Sequence, residues 1–100
     1  MVVSHFLKWI YTAKVSERAA AAGALARAYI NADLPFEDRC AAEAALTLLL
    51  DDASSKVRLA IAESLSMSHH APLQIISALA SDQPEVASLV LARSPLLTDA

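Results

Sequence analysis

Glu37, Asp38 and Glu43 place three carboxylates within one short segment, enough for a general acid–base pair in which one group gives a proton while its neighbour takes one. Cys40 lies among them beside Arg39, and a cation next to a thiol favours the nucleophilic thiolate. His69 and His70 offer adjacent imidazoles to a metal ion. Each reading lacks the partner its chemistry requires. No glycine-rich loop, nucleophile elbow or second acid cluster accompanies the carboxylates, and acids in the first turn of a helix serve its dipole. No histidine lies close to Cys40 in sequence to act as base, and a lone cysteine in an alanine-rich helix is a packing residue. Neighbouring loop histidines point in different directions, with no cysteine or acid at ligand spacing. The expectation is a protein that is not an enzyme, with no catalytic, metal or cofactor-binding residues.

The elements that would position these groups are helices. The chain of 100 residues is 56% hydrophobic but only 5% aromatic, with alanine runs and a single glycine, Gly23. Alanine has the best helix propensity and lets helix axes approach closely, while scarce glycine disfavours a turn-rich β protein. This length makes one domain, residues 1–100, that buries only about two thirds of its unfolded surface. The formal charge of −3 is scattered, with no basic stripe to neutralise phosphates, so nucleic acid is excluded as an expected partner. One cysteine forms no internal disulfide, which fits a reducing compartment. Lys8 interrupts what would be the apolar region of a signal peptide, and no apolar run approaches the roughly 18 residues a membrane span needs. A cytoplasmic protein is expected.

Turning each residue by about 100° predicts six helices. Residues 2–13 gather Val2, Val3, Phe6, Leu7, Trp9 and Ile10 on one face; with only His5 and Lys8 as basic groups opposite, burial against the next helix is expected rather than a membrane surface. Residues 15–31 gather Val15, Ala19, Ala22, Leu25, Ala26, Tyr29 and Ile30. Pro35 at a first helical position opens a third helix to Leu50, apolar around most of its circumference and so expected in the middle of the molecule. Ser54 or Ser55 caps a fourth running to about Met67, Pro72 opens a fifth, and Glu85 to Arg93 forms a sixth. Six short helices pair as three antiparallel hairpins. Internal similarity favours stacking: a shift of thirty aligns Asp52 with Asp82 and Leu59 with Leu89, and a shift of forty aligns Arg18 with Arg58 and Leu25 with Leu65.

An acid in the turn, Asp52, followed six residues later by Val57-Arg58 at the start of the next helix, resembles a HEAT repeat. That resemblance implies a ladder in which turn aspartates and arginines of neighbouring repeats tie the stack. Arg58 falls on the face of Ile61, Ala62 and Leu65, where a guanidinium needs fixed acceptors, and Asp52, or Asp82 from the next turn, is the expected one. Ala87 stands where a third repeat would carry arginine and Thr12 where a first would carry aspartate, so the implied ladder is interrupted. Segments 37–45, 57–63, 79–87 and above all Ser94-Pro95-Leu96-Leu97 are similar to a bacterial family catalogued as domain of unknown function 2336, a HEAT-like helical repeat family with no catalytic residues attached to it.

The resemblance implies an all-α superhelix of about six helices. The expected function is a non-catalytic protein–protein interaction or scaffold module. Alternatives are a regulatory or sensory segment of a larger bacterial signalling protein, and small-ligand binding between hairpins. Arg27, Lys56, Glu63 and Arg93, on the second helices of the pairs, are the candidate partner surface. Thr98-Asp99 looks like the start of a further helix, so the natural protein is expected to continue past Ala100. An uncovered apolar edge at Leu89, Leu91, Leu96 and Leu97 would then favour a homodimer.

Overall fold

The structure is a computed structural model that describes residues 5, 8, 9 and 12–96. Among them are five helices and no strand: α1 (Val15–Asn31), α2 (Phe36–Leu49), α3 (Ser55–Leu65), α4 (Leu73–Ala80) and α5 (Pro84–Arg93). The fold is all-α. His5, Lys8 and Trp9 are also helical, but most of the helix expected over 2–13, with its apolar residues Val2, Val3, Phe6, Leu7 and Ile10, lies outside the described residues.

Local chemistry explains where these helices begin. The Lys14 N–H donates to Glu17 Oε1 at 3.0 Å, a side chain from the first turn reaching back to the cap of α1. Ser54 Oγ accepts from the Lys56 N–H at 3.3 Å and so caps α3. Pro35 and Pro72 stand one residue before their helices, as caps, while Pro84 occupies the first turn of α5. This corrects the expectation that Pro35 would be the first helical residue. Its extended ψ of 155° delivers the chain to Phe36, and Glu37 and Asp38 follow in the first turn, where the dipole favours acids.

Helix α3 is the centre of the molecule. Its face of Val57, Ile61, Ala62 and Leu65 is fully buried, and it packs most extensively on α1 and also on α2, α4 and α5. The apolar circumference of the preceding helix predicts that one at the centre. Instead α2 buries one face only, Ala42, Ala45, Leu46 and Leu49, and leaves Phe36 79% and Leu48 51% exposed. An apolar circumference records composition, and the number of neighbouring helices decides burial.

The helices α1, α3 and α5 touch in series, with α2 and α4 against them. The envelope is 40 × 29 × 16 Å. Two helix layers with axes about 10 Å apart, each Cα cylinder adding about 2.3 Å, give a thickness of about 15 Å, so the molecule is two helices deep. One core joins both layers: Tyr29, Leu46, Val57, Ile61, Leu65, Ile75, Ile76, Leu79, Val86 and Val90, with Leu89 and Leu96 packed partly against it. Among the described residues no helix is long and apolar enough to cross a membrane.

The fourth position of each helix in the α1–α3–α5 series falls on Arg18, Arg58 and Ala87. The turn aspartates Asp52 and Asp82 are thirty residues apart, but the helices after them are aligned by twenty-nine, because Ala53 and Ser54 precede α3 where only Gln83 precedes α5. Val57 then matches Val86, and Ile61 matches Val90, all fully buried. The thirty-residue shift would have set buried Ile61 against Leu91, which is 62% exposed.

Candidate functional site

Two arginine–aspartate pairs cross between consecutive units. Arg18 Nε donates to Asp52 Oδ2 at 2.9 Å and its Nη2 to Asp52 Oδ1 at 3.2 Å, the two-pronged geometry that suits a guanidinium and a carboxylate. Arg58 Nε donates to Asp82 Oδ2 at 2.7 Å. Each arginine also donates from Nη1 to a carbonyl just ahead of its own helix, Ala13 for Arg18 and Asp52 for Arg58. Asp52 is therefore a node: its carboxylate serves α1, its Oδ1 also accepts the Ser54 N–H at 2.9 Å, and its carbonyl serves α3. The carboxylate partner of Arg58 is Asp82 of the next turn.

The electrostatics follow from the geometry. Burial pushes the Asp52 carboxyl up, but the Arg18 hydrogen bond, the Ser54 N–H and the charges of Arg18 and Arg58 outweigh it and hold the group below its ordinary range. Burial likewise pushes Asp82 up, and the Arg58 hydrogen bond, the Gln83 N–H and the Arg58 charge bring it below. Both carboxylates are held ionised as structural acceptors. A proton donor or acceptor for chemistry would need the opposite tuning, toward neutral pH.

A second polar node was not anticipated from sequence. Tyr29 on α1 donates its hydroxyl to Glu43 Oε2 on α2 at 3.2 Å, and Gln74 on α4 donates from Nε2 to Glu43 Oε1. The Arg39 guanidinium sits 4.8 Å from the Tyr29 ring centroid. Burial raises the Tyr29 hydroxyl above its ordinary value; Arg39 hydrogen bonding opposes this, and the charge and hydrogen bond of Glu43 reinforce it. Glu43 is thus engaged by two helices rather than paired with Glu37 or Asp38. Cys40 is exposed, which corrects the expectation of a packing residue: it lies off the buried face of α2 formed by Ala42, Ala45, Leu46 and Leu49. His69 and His70 are exposed too, and among the described residues no group of three or more His, Cys, Asp or Glu side chains is placed to hold a metal ion.

The candidate partner residues are all exposed: Arg27 on α1, Lys56 and Glu63 on α3, Arg93 on α5. Of these, the structure brings Arg27 and Glu63 to one open groove between α1 and α3, with Asn31 and Ser64, over a floor of Ala19, Ala20, Gly23, Ile30 and Ala60. Lys56 lies seven residues before Glu63, about 10 Å back along the helix, and like Arg93 does not line it. Gly23 lies in this groove. A Cβ built there would stand 3.1 Å from Arg27 Nη1, 3.4 Å from Ser64 Oγ and 3.8 Å from Ala60 Cβ, so the missing side chain leaves room for the guanidinium while the contacts to α3 stay ordinary. Ser64 Oγ donates to the Ala60 carbonyl at 2.9 Å and accepts from Arg27 Nη1 at 3.4 Å.

Asp52 is a tie expected from sequence, but its partner Arg18, and Gly23 and Ser64, are not among the site residues that the sequence picks out. Arg18 leaves a signal in its forty-residue offset from Arg58, and Gly23 one as the single glycine. No family model, curated protein or solved structure matches the chain.

Proposed function

We propose that this chain is a non-catalytic interaction module, a short HEAT-like superhelix of three helical hairpins of the kind catalogued as domain of unknown function 2336, which holds a protein partner on the exposed side of α1, α3 and α5. The observation that carries the reading is the pair of rungs. In each, the arginine at the fourth position of one helix reaches the aspartate in the turn of the following unit, so the same tie is used twice in the same register. Ties of this kind hold consecutive helices at a fixed spacing and leave their outer sides free to vary, the property by which stacked helical units present extended binding surfaces.

The outer side carries charges of both signs, Arg27, Lys56, Glu63 and Arg93, each available to a partner. Rim charges of this type govern rate and specificity of association. The test is affinity capture with the full-length gene product, wild type against a variant combining Arg27→Glu, Lys56→Glu, Glu63→Lys and Arg93→Glu. A partner retained by the wild type and lost by the variant, with helicity unchanged in circular dichroism, supports the module. A partner held equally by both moves the binding surface elsewhere.

A further inference from the structure

The groove between α1 and α3 has a chemistry of its own. It holds one cation and one anion, Arg27 and Glu63, and among the described residues the ion pairs within 4.0 Å are Arg18–Asp52 and Arg58–Asp82 only. Arg27 and Glu63 therefore face the same groove without joining each other. Arg27 spends one nitrogen on a long contact with Ser64 and keeps the rest of its donor fork for another acceptor. Ser64 has committed its proton to the Ala60 carbonyl, which leaves its oxygen as an acceptor, and Asn31 adds an amide at the same end.

These charges select against simple ions. A lone anion attracted to Arg27 meets Glu63. A lone cation attracted to Glu63 meets Arg27. A ligand that carries both charges answers both residues, its carboxylate on the Arg27 fork and its ammonium on Glu63. The rest of the lining, Ala19, Ala20, Gly23, Ile30 and Ala60, is apolar and suited to a short aliphatic side chain.

We infer that this groove binds a short zwitterion, a free α-amino acid or a peptide with both termini uncapped and an aliphatic side chain. The inference is independent of the partner-holding reading, because its readout is direct binding of a small probe.

The test is titration of the isotope-labelled full chain, followed by backbone amide shifts, with L-alanyl-L-leucine, with its N-acetylated and C-amidated forms, and with L-leucine. Saturable shifts centred on Gly23, Arg27, Glu63 and Ser64 are expected with the free dipeptide. Either cap should weaken binding about ten- to hundredfold, the range of one charge-assisted hydrogen bond. Arg27→Gln should abolish the penalty for amidation and Glu63→Gln the penalty for acetylation; both residues are exposed, so neither change threatens the fold. Saturation by L-leucine as well as the dipeptide identifies a free amino acid as the ligand, and saturation by the dipeptide alone identifies chain ends. Binding of the acetylated and amidated forms equal to that of the free dipeptide, shifts confined to other surfaces, or no saturable shift overturns the site.

Discussion

At the scale of single residues, Arg58 ties the central helix to both turns that flank its pair. Its side chain is only 12% exposed and its guanidinium divides between the Asp82 carboxylate and the Asp52 carbonyl, so it joins two turns to one helix. Removing it strands a carboxylate that is itself 13% exposed, and an unpaired buried acceptor is costly. Arg58→Ala is expected to lower unfolding free energy by about 1–3 kcal/mol in urea titration. A change near zero would make the rung ornamental. The same pair sets the response to acid. Asp52 and Asp82 have folded-state pKa values below their unfolded ones, so their contribution is complete above the unfolded value, near 3.9, and is lost as pH falls through the depressed folded values. The urea midpoint should therefore lose these two contributions below about pH 4, and Asp82→Asn should remove one share of that slope while lowering stability at neutral pH.

At the scale of elements, helix type and most starts were written in the local chemistry: the Ser54 cap, the prolines before α2 and α4, the acids in the first turn of α2. What periodicity could not supply was rank among helices. Helix α2 reads as the apolar one, but α3 is central because it meets four neighbours, and that is a property of assembly rather than of any window of residues. The candidate site divides in the same way. Asp52, Arg58 and Asp82 announce themselves by spacing, whereas the Tyr29–Glu43–Gln74 node draws on three helices and leaves no periodic trace. Gly23 was visible only as the chain's single glycine; its meaning needed the opposing Ala60 and Ser64. In mid-helix a glycine costs about 1 kcal/mol relative to alanine. The closest atom to an added Cβ is the tip of an exposed, flexible arginine, which can swing away, and Ser64 Oγ at 3.4 Å is in ordinary contact. Gly23→Ala should therefore raise stability by about 0.5–1 kcal/mol in thermal or urea unfolding, whereas Gly23→Leu, with no room between α1 and α3, should lower it. Destabilisation by alanine would show the helices to be closer than this geometry has them.

At the scale of the whole molecule, the two rungs have a direction, and the direction runs out. Each arginine reaches forward to the next turn, Arg18 to Asp52 and Arg58 to Asp82, but the corresponding position on α5 is Ala87, which is buried and has no donor to extend. The face of α5 away from α3 is accordingly not held by charge. Helix α5 exposes Leu91, 62% accessible, while Leu89 and Leu96 are half-buried against the core and Leu97 lies outside the described residues. Burial of such an edge would draw on the hydrophobic effect alone, which salt does not screen. If a second copy covers it, association should appear in light scattering as protein concentration rises, persist in molar salt, and be lost in Leu91→Glu, since a carboxylate on that edge would be desolvated without a partner. A surface-charge mechanism predicts the reverse dependence, dissociation by salt with indifference to Leu91. A chain monomeric at the highest attainable concentration would leave the α5 edge to solvent and remove the dimer.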